Sequence, residues 1–399
     1  MNAGAAALWT LDPAVAYLNH GSFGACPRAV LEFQAALRER LEREPVDFLA
    51  RDLGGLLAEA RVRLGAFVGA DPDDLAFVSN ATGGVNAVLL SLRLRPGDEL
   101  LTTTHAYAAC RKTLAHTAAR TGAVVVTARV PYPLHGEDDV VEPVLAAVTP
   151  RTRLALLDHV TSPTAVVFPL ARLVRGLRAR GVETLVDGAH APGMVPLDLR
   201  ALGAAFYTGN AHKWLCAPKG AAFLHVRRDL QEGLHPLVIS HGYQGESPAH
   251  FRAEFDWTGT DDPTAWLSVP ESIRYLGSLH PEGWPGLMAR NHGLALTARD
   301  RVRAALGASA PVPDDMLGSM ATVVLPAPVE GAPAQGLDQD QLALWCRRRG
   351  VESWFSPTPA PRGPDDAAGM MVRVSAQLYN DAGQFERLGV LLREALGVR

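Results

Sequence analysis

The spacing of apolar and polar residues changes at about residue 75, and the change separates two kinds of element. Before it, residues 28–43 (RAVLEFQAALRERLER) and 55–68 (GLLAEARVRLGAFV) repeat apolar positions every three or four residues among Arg and Glu, which predicts two amphipathic helices. From 75 onward, short continuous apolar runs alternate with stretches long enough for a crossover helix. The runs are LAFV at 75–78, ELLTT at 99–103, AVVVTARV at 123–130, LALLDHV at 154–160, ETLVD at 183–187, AAFYT at 204–208 and GAAFLHV at 220–226. Helical stretches fall between them at 82–93, 107–121, 138–148 and 170–180. Runs that are continuous rather than alternating belong to strands buried on both faces. The expected fold is therefore α/β, a mostly parallel sheet with helices on both sides.

After about 264 the pattern predicts helices at 264–277 and 285–306 and strands at 319–325 (SMATVVL) and 371–375 (MVRVS), with a Pro- and Gly-rich loop at 356–369 between the strands. This reads as a second, smaller α+β domain. The expected division is an N-terminal arm at 1–27, a large domain at 28–263 and a small C-terminal domain at 264–399.

In sheets of this kind ligands bind beyond the carboxyl ends of the strands. Asn80, Thr82, His105, Tyr107, Ser162, Asp187, His190 and Lys213 all follow apolar runs and are expected on one edge of one sheet. Composition narrows the chemistry. With 399 residues, 48% hydrophobic and 20% charged, the chain can bury a sizeable core. A net charge of −4 supplies no bulk positive field, so nucleic acid is not expected as the main partner. Only Lys112, Lys213 and Lys219 are available for lysine chemistry. The four cysteines, Cys26, Cys110, Cys216 and Cys346, lie far apart and form neither a disulfide framework nor a zinc knuckle, which suggests a reduced, cytoplasmic protein. HExxH and related metal spacings are absent, and no metal is expected. The first residues lack a cationic start, carry Asp12 and Pro13, and are followed by no apolar run of roughly 18 residues, so neither secretion nor membrane insertion is expected.

The densest constellation is 183–220. There one apolar strand ends in Asp187, His190 follows, and Lys213 sits in an AHKW turn after the next strand. A carboxylate and a lysine at neighbouring strand ends suit a pyridoxal phosphate site: the amine forms a Schiff base with the aldehyde, and the aspartate pairs with the pyridine nitrogen so that the ring can accept charge. Taken singly, each of these residues reads more readily as a cap or a solvated charge; the joint arrangement carries the reading.

The motifs YLNHGSFGACP (17–27), FVSNATGGVNAVL (77–89), LLDHVTSPTAVVFPL (156–170), VDGAHAPGMVPLDL (186–199), YTGNAHKWLCAPKGAAFL (207–224), WTGTDDP (257–263) and VRVSAQLYN (372–380) span nearly the whole chain. On these motifs the sequence resembles the class V aminotransferase family, fold type I of the pyridoxal phosphate enzymes, and within it the isopenicillin N epimerase-like branch. The resemblance implies that Lys213 holds the cofactor and Asp187 meets its ring nitrogen. It further implies that the backbone amides of Ala81 and Thr82, with the Thr82 hydroxyl, bind the phosphate at a helix start, and that His212 reaches the same phosphate. His190 is implied to support the ring hydroxyl or the aspartate, and Ser162 the ring hydroxyl. Either Tyr107 or His105 stacks on the ring, with Tyr107 preferred. Thr260 occupies the position from which a second subunit contacts the phosphate, so a homodimer with sites completed across its interface is expected. Arg373 is implied to pair with the α-carboxylate of an amino acid. Asn19, His20 and Ser22 match a segment that folds over the pocket, and Arg51 an arginine at its edge.

Racemisation, β-elimination, transamination and desulfuration share abstraction of the α-proton, so the resemblance alone leaves the reaction open. Desulfurases need a nucleophilic cysteine shortly before the carboxylate-binding arginine, and residues 352–371 contain none. The expectation is a pyridoxal phosphate enzyme acting at the α-carbon of an amino acid or amino-acid-containing peptide, isopenicillin N epimerase-like. A C–S β-lyase or an aminotransferase is the alternative, and a catalytically silent binding protein of the same fold lies outside these.

Overall fold

The seven apolar runs become the seven strands of one sheet in the computed structural model, which describes residues 3–243, 251–359 and 369–398. Among the described residues the strands are β1 (Ala16–Tyr17), β2 (Leu75–Val78), β3 (Glu99–Thr103), β4 (Val124–Ala128), β5 (Thr152–Asp158), β6 (Glu183–Asp187), β7 (Phe206–Asn210), β8 (Ala222–Val226), β9 (Met320–Val324), β10 (Val351–Glu352), β11 (Trp354–Pro357) and β12 (Met370–Ser375). The large sheet has the order β2-β8-β7-β6-β5-β3-β4, and β8 alone runs against its neighbours. Strands β3, β7 and β8 are buried at every position, as double-sided coverage requires, whereas the edge strand β4 leaves Val124 exposed.

Helices Ala81–Ser91, Ala108–Thr121, Asp138–Ala146 and Leu170–Arg178 make the crossovers between successive strands. The last buries Leu170, Leu173, Val174 and Leu177, one stripe at the helical period, and turns its arginines outward. The two predicted N-terminal helices form at Arg28–Arg43 and Leu53–Val68, joined through a π-helical turn at Asp47–Asp52.

The C-terminal part contains the antiparallel sheet β11-β12-β9, covered by helix Gly283–Leu306, on which helix Ala382–Leu396 packs in turn. Three features differ from the sequence reading. The stretch 264–277 is two helices, Thr264–Leu267 and Val269–Ser278, because Pro270 lacks the amide that would continue the first. Strand β11 extends into the region expected to be loop. The helix Ala382–Leu396 was not expected. The arm expected at 1–27 is tied to the C-terminal part by β1, which pairs in parallel with β10.

Candidate active site

The carboxyl ends of β2, β5, β6 and β7, with the turn after β3, open onto a pocket of about 150 Å³. Of the residues expected on this edge, Asn80, Thr82, Tyr107, Ser162, Asp187, His190 and Lys213 line it, as do Ala81 and His212.

Lys213 lies in the turn that follows β7, and its amine is buried. Burial, then the Arg373 charge, lowers it to about 7, against an opposing pull from Asp187. Its Nζ is 3.2 Å from His190 Nε2. Trp214 Nε1 donates to His190 Nδ1 across 3.5 Å, and burial holds that histidine neutral, so the hydrogen on Nε2 faces the amine lone pair. The turn itself is clamped from behind. His20 donates from Nε2 to the Lys213 carbonyl at 3.0 Å and accepts at Nδ1 from the Tyr379 hydroxyl at 2.7 Å. Gly24 has φ +65°, and a Cβ there would lie 2.3 Å from the His212 carbonyl oxygen, so the N-terminal segment crosses directly on the lysine turn. His20, expected as a substrate contact, is fully buried, packs on the Trp214 ring and supports the Lys213 backbone from behind.

Asp187 accepts at Oδ1 from the Ala189 amide, 3.0 Å, and at Oδ2 from the Cys110 thiol, 3.1 Å. Asp158 is its register partner on β5 and lines the same pocket. Burial and the neighbouring Asp187 charge push Asp158 well above the usual carboxylate range. The sequence reading missed Asp158, although it ends an apolar run as Asp187 does. Cys110 had no such signal, because it reaches the site from the buried face of a helix.

At the start of helix Ala81–Ser91, Asn80 caps by accepting from the Gly83 amide at 2.8 Å. The Ala81 amide donates to Asn210 Oδ1, also at 2.8 Å. The Ala81 amide, expected at the phosphate, is thus paired with the side chain at the end of β7. The Thr82 amide makes no hydrogen bond with a described residue and is the free donor at this helix start. Nearby, His212 Nδ1 is buried without a partner. Asn210 was also missed, since only the fold reveals that β7 ends beside this helix.

Arg373 on β12 is fully buried. Its Nη1 donates to the Ser162 carbonyl at 2.7 Å and hydroxyl at 3.2 Å, and its Nη2 to Ser22 Oγ at 3.0 Å and Asn19 Oδ1 at 3.4 Å. The guanidinium lies over the Trp354 ring, 4.6 Å from its centroid. No described carboxylate pairs with it, and burial lowers it to about 10. A buried cation held by neutral groups is a site built for an anion.

Asn19, His20 and Arg373 stand behind the pocket wall, bonded to Ser22, Ser162 or the Lys213 carbonyl, and three more expected residues lie away from the pocket. His105 is buried beneath it, bonded through Nδ1 to Thr164 Oγ1 at 2.8 Å and packed near Tyr132 and Phe168, so Tyr107 is the ring at the pocket. Arg51 points to solvent from the π-helical turn, where it pairs with Asp47. Thr260 is exposed and lines no part of its own chain's pocket.

Fold and site together define a class. The chain belongs to the aminotransferase class-V family, whose model matches residues 35–388. It is 39% identical to the isopenicillin N epimerase of Amycolatopsis lactamdurans, covering 96% of each chain. Putative L-cysteine desulfhydrase 1 of Oryza sativa subsp. japonica is 33% identical over 94% of this chain and 82% of that one. Among solved structures, a C-DES variant with glycine covalently linked to its PLP cofactor superimposes with a TM-score of 0.77 at 19% identity, covering 96% of this chain and 97% of that one.

Proposed function

We propose that this chain is a pyridoxal phosphate-dependent enzyme acting at the α-carbon of an amino acid or amino-acid-containing peptide, with isopenicillin N epimerase-like chemistry. The observation that carries the reading is one pocket lined by Lys213, whose amine burial lowers to about 7, and by Asp187, with the buried Arg373 guanidinium bonded to Ser162 and Ser22 of its wall. The donors fit the cofactor: the free Thr82 amide and the unpartnered His212 Nδ1 suit a phosphate, and Asp187 suits a pyridinium nitrogen. When bound, pyridoxal phosphate supplies an aldehyde for covalent attachment of an amine and a ring that withdraws charge from the α-carbon.

The chain's own residues do the rest. Arg373, fixed by Ser22, Asn19 and Ser162, orients the substrate carboxylate. Lys213 holds the cofactor at rest, and its freed amine takes the α-proton. Inversion requires a second acid/base on the opposite face, and Tyr107 is the pocket residue of suitable chemistry. Ser162 and His190 are the polar neighbours assigned to the ring hydroxyl and to the lysine amine. A C–S lyase is the second reading, favoured by the desulfhydrase relatives and by the fact that elimination needs only Lys213 and a leaving group. Persulfide chemistry has no support, because Cys346 is buried in a helix and no cysteine lines the pocket. Four buried free thiols support a reducing, cytoplasmic setting. Among the described residues no helix is long and apolar enough to cross a membrane.

Incubation of the holoenzyme with amino acids in D2O separates these readings. Deuterium at the α-carbon of both stereoisomers is the expected outcome. Pyruvate and sulfide from cysteine, without inversion, would favour the lyase. No exchange with any amino acid would contradict both.

A further inference from the structure

A cavity of about 350 Å³ lies between the N-terminal segment and the residues leading into helix Ala382–Leu396, and none of its lining residues lines the cofactor pocket. Trp9, Tyr17 and Tyr379 give it aromatic walls, and Asp12 and Arg28 bring a carboxylate and a guanidinium to the same space. Tyr379 meets Trp9 edge-on, with ring centroids 5.2 Å apart, and lies 6.3 Å from Tyr17. The walls are fixed from outside: Trp9 Nε1 donates to the Ala25 carbonyl at 3.2 Å, the Arg28 amide donates to the Leu8 carbonyl at 2.8 Å, and Tyr17 belongs to β1. The volume falls within the range of roughly 300–1,000 Å³ typical of preformed pockets for small ligands.

The two charges are unanswered. Asp12 Oδ1 accepts from the Ala14 amide at 2.9 Å, and no described cation pairs with its carboxylate. The Arg28 guanidinium makes no hydrogen bond or ion pair with a described residue. Both residues are exposed, so they stand at the rim while the rings form the interior. An anion and a cation that do not pair with each other, set around an aromatic interior, match a ligand carrying the opposite two charges on a flat apolar body.

The cavity also reaches the lysine turn. The Tyr379 hydroxyl donates to His20 Nδ1 at 2.7 Å, and His20 Nε2 donates to the Lys213 carbonyl at 3.0 Å. Cys216 closes that turn by donating its amide to the same carbonyl at 3.0 Å, and it does so at φ +58°, a left-handed backbone that costs a residue with a side chain. Such a conformation persists only where its surroundings hold it, and Trp9, Cys216 and Tyr379 share one apolar cluster. What fills the space beside Trp9 and Tyr379 therefore bears on the turn.

We propose that this cavity is an effector site for an α-amino acid with an aromatic side chain, and that its occupation steadies the Lys213 turn through Tyr379 and His20. The ligand's carboxylate pairs with Arg28, its ammonium with Asp12, and its ring lies among Trp9, Tyr17 and Tyr379. Binding here involves no residue of the cofactor pocket.

The test is a calorimetric titration of the full-length protein with phenylalanine, after borohydride has fixed any cofactor so that an amino acid cannot displace it. Phenylalanine is expected to bind, and Arg28→Gln and Asp12→Asn to weaken it by about threefold each, the size of a partly exposed ion pair. Asparagine keeps the acceptor for the Ala14 amide, so the second variant removes charge alone. Alanine, which lacks the ring, should bind at least about tenfold more weakly. Arg373→Gln should leave phenylalanine binding unchanged. Hydrogen exchange of the peptide containing Lys213 should slow when phenylalanine is bound, and Tyr379→Phe should abolish the slowing while binding persists. No binding, or binding lost in Arg373→Gln and untouched by Arg28→Gln and Asp12→Asn, overturns the site and leaves the cofactor reading standing. Binding without slower exchange overturns the link to Lys213. Failure to find a cofactor on Lys213 would instead overturn the cofactor reading and leave this site standing.

Discussion

Burial sets the protonation of the groups that matter most. At pH 7 an exposed lysine with a pKa of about 10.4 is uncharged in roughly one molecule in 2,500. Lys213, lowered to about 7, is uncharged in about half, which makes it the nucleophilic lysine of the three. The same burial acts on histidines. His20 is lowered to about 3, and His105, His159 and His212 to about 4, each chiefly by desolvation. Below pH 6.5 the unfolded chain takes up protons that these folded rings refuse, so their contribution to stability is present above about 6.5 and is lost as pH falls toward 4. Asp158, Asp256 and Glu352, pushed upward by burial, work in the opposite direction, but they are three groups against six histidines, since His190 and His225 are lowered as well. The thermal midpoint of the cofactor-free protein should therefore drop steeply between pH 6.5 and 4, and His105→Phe should lessen the drop. A midpoint constant across that window would contradict the buried-neutral assignment. Lys213, Asp187 and Arg373 were legible because strand ends and motifs both point to them. His20 was legible only as a neighbour of the site: a motif gives proximity, and which side of the lysine turn a ring occupies depends on packing against Trp214 and Tyr379.

All seven strands of the large sheet were readable as elements, because continuous apolar runs in a doubly covered sheet admit few other readings. The C-terminal part was read less well. Helix Ala382–Leu396 opens with a capping box between Asp381 and Gln384, and helix Gln339–Arg347 with one between Asp338 and Gln341. Both signals stand in the sequence, as DAGQ and DQDQ, and the first was left unused. Strand β11 is different. Its residues, WFSP, are short, and its pairing with β12 places Trp354 opposite Arg373, a contact that no local pattern encodes. Arg373 was therefore legible, while the ring beneath its guanidinium was not. Helix Ala81–Ser91 shows the same limit on a smaller scale. Gly84 permits its approach to β7, where a Cβ would lie 2.4 Å from Thr208 Oγ1, and this approach brings Asn210 to the Ala81 amide.

At the scale of the whole molecule, the homodimer proposed from the resemblance is supported by large apolar side chains left exposed. Phe23 is 71% exposed one residue after Ser22, and Val46 is 65% exposed. A dimer would cover such groups and bring Thr260 of one chain toward its partner's phosphate site. Sedimentation equilibrium should return the mass of two chains, with Phe23→Glu moving the population toward one chain. A single-chain mass for the unaltered holoenzyme would contradict the dimer. If the fold holds a cofactor on Lys213, reduction with borohydride will trap it there. After loading with pyridoxal phosphate, the visible band should collapse on reduction and leave a pyridoxyl adduct on the peptide containing Lys213, with no adduct in Lys213→Ala. An adduct on Lys112 or Lys219 instead, or none on the unaltered chain, would contradict the account.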